Sequence, residues 1–166
     1  MEEQTTDNPG FSISGYTRWE HWRGGERIDL REIKNLIMVE GRQQIAGLVN
    51  GATTARVTYI AIGTSTTAVT TADVTLGAEI TATSGGGMRA TVTATRTSGT
   101  FSNDTAKNYL EFTFTTGSTG YSVGESAVFA SSSSGPMLCK QVFSPFPVVG
   151  LDVLAVTWQI LISATS

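Results

Sequence analysis

The chain has one cysteine, Cys139, in 166 residues. No intramolecular disulfide can form, so stability must come from packing or from association of subunits. Histidine is as scarce, with His21 alone. One Cys and one His make no tetrahedral zinc set, and a Ser-His-Asp triad would have to recruit the irregular stretch around residue 21. Charge is also low: Lys, Arg, Asp and Glu make up 15% of residues, against about a quarter in an average protein. The formal net charge of −3 leaves no basic excess to neutralise phosphates, which argues against nucleic acid as a partner. No apolar run approaches the roughly eighteen residues of a spanning helix, so no membrane partner is expected. The opening Met1-Glu2-Glu3-Gln4-Thr5-Thr6 has neither the basic nor the apolar region of a secretory signal. These absences predict a soluble protein made in a reducing cytoplasm.

What is present is unevenly spread. Residues 1–50 hold 14 of the 25 charged side chains, six basic and eight acidic, and the remaining 116 residues form a Thr/Ser/Gly/Val body with five basic and six acidic groups. Such a body favours strands and turns, and the length suits one domain with a core that needs no staples.

Residues 1–27 read as an extended N-terminal arm. Pro9, Gly10, Gly15, Gly24 and Gly25 interrupt it, and its aromatics show neither helical nor strand period. Phe11, Tyr16, Trp19 and Trp22, with Arg18 and Arg23 among them, are costly to leave in water. Either they pack back on their own domain, or they dock on a neighbouring subunit through Trp, Tyr and Arg anchors. Residues 28–50 read as an amphipathic helix. Asp29 and Glu32 fit a capping box, with Ile28 and Ile33 as its staple. Ile33, Leu36, Ile37, Gly41, Ile45 and Leu48 recur at three- and four-residue steps, and Asn50-Gly51 supplies a left-handed stop. This helix is expected to lie on the body or on its copy in another subunit.

From residue 51 to 166 the period becomes two, predicting an antiparallel β-sandwich or open barrel. Strands are expected at Val57–Ile62, Met88–Arg96, Tyr109–Thr115, Glu125–Ala130, Met137–Phe143 and Val153–Ser163. In the last of these, Leu154, Val156, Trp158, Ile160 and Ile162 share one side. Cys139 falls in a strand-like run and reads as an inert core thiol. The carboxylates Asp73, Glu79, Asp104, Glu111, Glu125 and Asp152 select no pair with the separation that glycoside hydrolysis demands, and solvated positions are expected for them. Gly85-Gly86-Gly87 lacks dinucleotide spacing, no calcium loop is present, and the Asn103-Asp104-Thr105 sequon has no secretory context. The residues thus predict an assembly protein rather than an enzyme, with no cofactor and no metal.

Three segments carry a resemblance. Asn35-Leu36-Ile37 with Gly41-Arg42 and Ile45-Ala46 comes first; Tyr59-Ile60-Ala61-Ile62-Gly63-Thr64 then leads through a Thr-rich loop to Leu76-Gly77-Ala78-Glu79; Asp152 to Ile160 closes the set. Across about residues 30–163, the chain resembles small structural proteins of tailed bacteriophages, a group that includes capsid decoration (cement) proteins and tail-fibre or tail-tip proteins. The proline common in that group after Gly-Thr is missing from residues 64–73. The resemblance implies a β-tulip or β-sandwich body, a homotrimer, and an arm reaching over the major capsid protein or adjacent subunits on the capsid exterior of the virion, after synthesis in the host cytoplasm. Phe11, Tyr16, Arg18, Trp19, Trp22 and Arg23 become candidate capsid and subunit contacts. The alternative it implies is a tail-fibre, tail-tip or receptor-binding module, in which the loops near Ser65–Ala72, Ser84–Gly87 and Ser131–Gly135 meet a cell-surface glycan.

Overall fold

A computed structural model describes residues 11–81, 89–98, 103–114 and 120–164. In these residues the chain is mainly β, built as two antiparallel sheets with one helix. The first sheet comprises β1 (Phe11–Arg23), β2 (Glu26–Lys34), β6 (Thr93–Ser98), β7 (Asn103–Thr113) and β10 (Val153–Ala164), in the order β2-β1-β10-β7-β6. The second comprises β3 (Leu36–Ile37), β4 (Tyr59–Gly63), β5 (Ala90–Thr91), β8 (Tyr121–Phe129) and β9 (Met137–Val148), in the order β3-β9-β8-β4-β5. Helix α1 spans Val39–Asn50.

The main core lies between the sheets. Trp19, Phe112, Leu154, Val156 and Trp158 from the first meet Ile60, Ile62, Val128, Cys139 and Phe146 from the second. The alternation expected for the last strand is observed, since Leu154, Val156, Trp158 and Ile160 are buried while Ile162, near its end, is half-exposed. Burial pushes the Cys139 thiol well above its usual range, in keeping with an inert core residue.

The front of the chain differs from the expected arm and long helix. Residues 11–23 form β1, which pairs with β10 from Phe11–Ala164 to Trp22–Val153 and with β2 on its other side. Gly24 and Gly25, with φ of 58° and 86°, form the two-residue turn between β1 and β2; two positive φ values in succession are what a right-twisted hairpin requires. The glycines read as interruptions are therefore the hairpin turn itself. Residues 26–34 continue as strand, so the Asp29/Glu32 capping box is not used: the helix begins at Val39, behind Met38, which makes no side-chain cap. The helix end is as expected, with Gly51 left-handed at φ 76°. Of the expected stripe, Ile33, Leu36 and Ile37 lie on strands, Gly41 is buried, and Leu48 is exposed. Residues 1–10 of the expected arm lie outside the described residues, as does the expected Ser84–Gly87 loop. The expected Met88–Arg96 strand divides at Val92: Ala90–Thr91 pairs with β4, Thr93–Ser98 pairs with β7, and Ala94, expected inward, is exposed.

The second sheet is covered on its outer face too. Met38 and Leu76 pack over Ala61, Ala127, Phe129 and Met137 in a second cluster, which explains why β8 is buried continuously from Val123 to Phe129. The covering loop is held by charge. Glu125, buried and expected at the surface, accepts hydrogen bonds from the Gly77 and Ala78 amides at 2.9 and 2.6 Å. Lys140 reaches Asp73 at 3.0 Å, the Thr75 carbonyl at 3.2 Å and Glu125 at 3.5 Å. Leu76-Gly77-Ala78-Glu79 is thus a latch: Leu76 fills the cluster, the two amides meet Glu125, and Glu79 binds Arg89 through both oxygens at 2.9 and 2.7 Å.

Asp152 is the other buried carboxylate expected at the surface. It accepts from His21 Nε2 at 2.8 Å, from Arg23 Nε and Nη2 at 2.8 Å each, and from the Val149 amide at 3.0 Å. The Arg23 guanidinium, the Val149 amide and His21 hold this carboxyl far below the usual range against the opposing effect of burial. A carboxylate with a depressed folded-state pKa contributes stability above its unfolded value of about 3.9 and loses it as pH falls through the folded value.

Two outcomes follow from these contacts. Urea unfolding should show Asp152→Ala destabilised by about 3 kcal/mol at neutral pH, because four donor groups on three residues lose a buried acceptor; the difference from wild type should shrink as pH falls below about 4. Gly41→Ala should lower the melting temperature by the equivalent of about 1–3 kcal/mol, because a β-carbon there collides with the Leu138 carbonyl beneath the helix.

Candidate interaction face

With the second sheet covered on both sides, the outer face of the first is the broad sheet surface left open among the described residues. Strand parity decides what it shows. On β1, Thr17, Trp19 and His21 point inward and are buried, while Tyr16, Arg18, Glu20 and Trp22 point outward. The registers with β10 and β7 set these in rows: Arg18–Thr157–Tyr109 and Glu20–Ala155–Glu111 each run across three strands.

The charges of the face pair with one another. Arg18 binds Glu20 at 2.9 Å and Glu32 at 3.6 Å, and Arg27 stands 4.0 Å from Glu20 with its guanidinium 5.9 Å from the centre of the Trp22 ring. Tyr16 donates to Gln159 at 3.0 Å. Tyr109 donates to Glu111; partial burial first, then that carboxylate, pushes its phenol up to about 12, so it stays protonated at neutral pH. Because Ala155 is small, the row between Glu20 and Glu111 dips into a recess of about 230 Å³, flanked by Trp22 and Tyr109.

The six candidate contact residues are therefore divided. Tyr16, Arg18 and Trp22 share the face. Trp19 does not: it is fully buried, with its ring 5.0 Å from Phe143 and 5.9 Å from Phe146, and its Nε1 donates to Thr17 at 3.1 Å. Arg23 is committed to Asp152. Phe11 opens β1 opposite Ala164, and its side chain lies outside the described residues. Glu20, Tyr109, Glu111 and Gln159 belong to the face and were not singled out as contacts by sequence; the period-two run Tyr16, Arg18, Glu20, Trp22 could have found Glu20, whereas the others reach the face only through the pairing of β1 with β10 and of β10 with β7.

Among the described residues, no helix is long and apolar enough to cross a membrane, and no three His, Cys, Asp or Glu side chains are grouped to hold a metal ion. Comparison with family models, curated proteins and solved structures gives no match for the chain.

The two tryptophans of β1 make the parity measurable. Trp19→Ala should cost about 3–5 kcal/mol in urea unfolding, whereas Trp22→Ala, on the open face, should cost under about 1 kcal/mol.

Proposed function

We propose that the chain is a virion structural protein of a tailed bacteriophage, a capsid decoration (cement) protein seated on the major capsid protein through the outer face of its first sheet. The observation that carries this reading is the grouping of Tyr16, Trp22, Tyr109 and Arg18 on one open surface. Trp, Tyr and Arg are the residue types that dominate binding energy at protein interfaces. Their strands are fixed from behind by the core, so little ordering cost is added on docking. The Glu32–Arg18–Glu20–Arg27 ladder is already neutralised internally, which suits a partner surface of mixed polarity and gives directional polar contacts at the rim.

On this reading attachment comes from a sheet face, where the sequence suggested an arm. The mechanism is thermodynamic. A protein that binds only the assembled lattice stabilises it by mass action, and the same modest contact repeated over a shell adds through multivalency.

The recess between Trp22 and Tyr109 supports a second reading. An aromatic wall with carboxylates on either side has the make-up of a sugar-binding surface, which favours a tail-fibre or receptor-binding module as the alternative.

Quantitative mass spectrometry of purified virions separates the two. A copy number near that of the major capsid protein, or a fixed large fraction of it, is expected for decoration; a few copies per particle would transfer the chain to the tail. The double substitution Trp22→Ala/Tyr109→Ala should lower occupancy of isolated capsids by at least about tenfold, since anchors of this type contribute about 2 kcal/mol or more each.

A further inference from the structure

Helix α1 packs on β9 through its Gly41 side and leans on the main core through the half-buried Ile45, while Arg42, Ala46 and Val49 beside it stay exposed. Arg42, Ile45, Ala46 and Val49 occupy positions i, i+3, i+4 and i+7, one face of an α-helix. With Ile13 of β1 and Ile37 of β3 they line a groove of about 670 Å³. Val49 is 84% exposed, and the small Ala46 lies mid-stripe, where a second backbone can approach closely. The charge on this stripe is Arg42, which has no ion-pair partner among the described residues. At the other end, the last turn of α1 contains no basic residue; Gly51 closes it in the left-handed region and the Thr53 amide donates to the Gly47 carbonyl at 3.2 Å, so the dipole there meets no cation.

These deficits complement each other under a two-fold rotation. We propose that the stripe is the contact between two copies of this chain, with α1 antiparallel to α1 of the second copy about an axis at residues 45 and 46. Positions 42 and 49 are equally far from that point, so the symmetry sets each Arg42 beside Val49 and the carbonyl end of the opposite helix. A cation is favoured there by the helix dipole, and the aliphatic stem of the arginine covers the exposed valine. Ile45 and Ala46 form the apolar centre, flanked by Ile13 and Ile37. A second copy fits this stripe because the cation and the helix end that attracts it both lie on one chain, and an isologous contact pairs each with the other. The contact uses the inward-pointing Ile13, not the outward residues of β1, so it stands apart from the proposed capsid face. It makes a dimer, where the phage resemblance implies a trimer.

Sedimentation of the full chain over about 1–100 μM, with cross-linking through Ala46→Cys, tests the contact. Cys139 is buried and stays silent. A dimeric mass is expected, together with a disulfide-linked dimer of Ala46→Cys under mild oxidation. Arg42→Ala should weaken the dimer about tenfold, and Ala46→Glu should give monomers with an unchanged circular dichroism spectrum. A monomer at every concentration would overturn the contact. So would a trimer without the residue-46 cross-link, or equal cross-linking by Ala68→Cys in the exposed loop.

Discussion

The buried carboxylate of Asp152 is the interaction on which the first sheet depends. It stands beside the β9–β10 turn, where Leu151 has a positive φ of 70° and the Asp152 amide bonds the Val149 carbonyl at 3.1 Å. From there it gathers His21 and Arg23 of β1. One side chain thereby fixes the turn between the sheets and the register of β1 against β10. Since β1 shows Tyr16, Arg18, Glu20 and Trp22 to the outside only in that register, the interaction face rests on a contact buried beneath it. A one-residue slip would send Trp19 outward and Trp22 into the core.

The two sheets solve the problem of a second face differently. The second sheet spends chain on covering itself: α1 and the loop through Leu76 lie across it, held by Glu125 and Lys140, both removed from water and bonded to partners. Such groups are destabilising unless satisfied, and their geometry gives the loop a single position. Among the described residues the first sheet has no such cover and keeps an outer row of aromatic and paired charged groups. This division leaves a broad, chemically varied surface on the first sheet.

Much of the sandwich was legible in sequence. Val153–Ser163 and Tyr109–Thr115 were legible because their inward positions, Leu154, Val156, Trp158 and Ile160 in one and Leu110, Phe112 and Phe114 in the other, are all apolar. Asn50-Gly51 marked the helix end for a local reason, the left-handed glycine. The front of the chain was not legible, and the cause is specific. In β1 the inward positions include Thr17 and His21, polar residues whose burial is made tolerable by Gln141 at 2.6 Å and Asp152 at 2.8 Å. Those partners lie more than a hundred residues away, so no local pattern announces them. With polar groups inside and aromatics outside, the hydrophobic alternation that identifies a strand disappears. The same long-range pairing hid the burial of Glu125 and Asp152, and it divided the six proposed contact residues between face and interior. At residues 28–34 the spacing of isoleucines and a plausible capping box imitated a helix, but the Gly24-Gly25 turn lays the segment back along β1 as a strand.

The central place of β1 also bears on how the protein reaches its fold. His21 and Asp152 are separated by 131 residues, and nearly every residue of β1 finds its partner on β10 at comparable or greater separation. Contacts so distant in sequence make folding slow, because the entropy of closing the intervening loop is lost before the pairing returns any stability. Until β10 pairs with β1, Trp19 has no completed sheet around it and the inner edge of β1 is unpaired. Nascent chains in that state are exposed to mispairing with one another, so the yield of native protein depends on how quickly the last strand closes the first sheet.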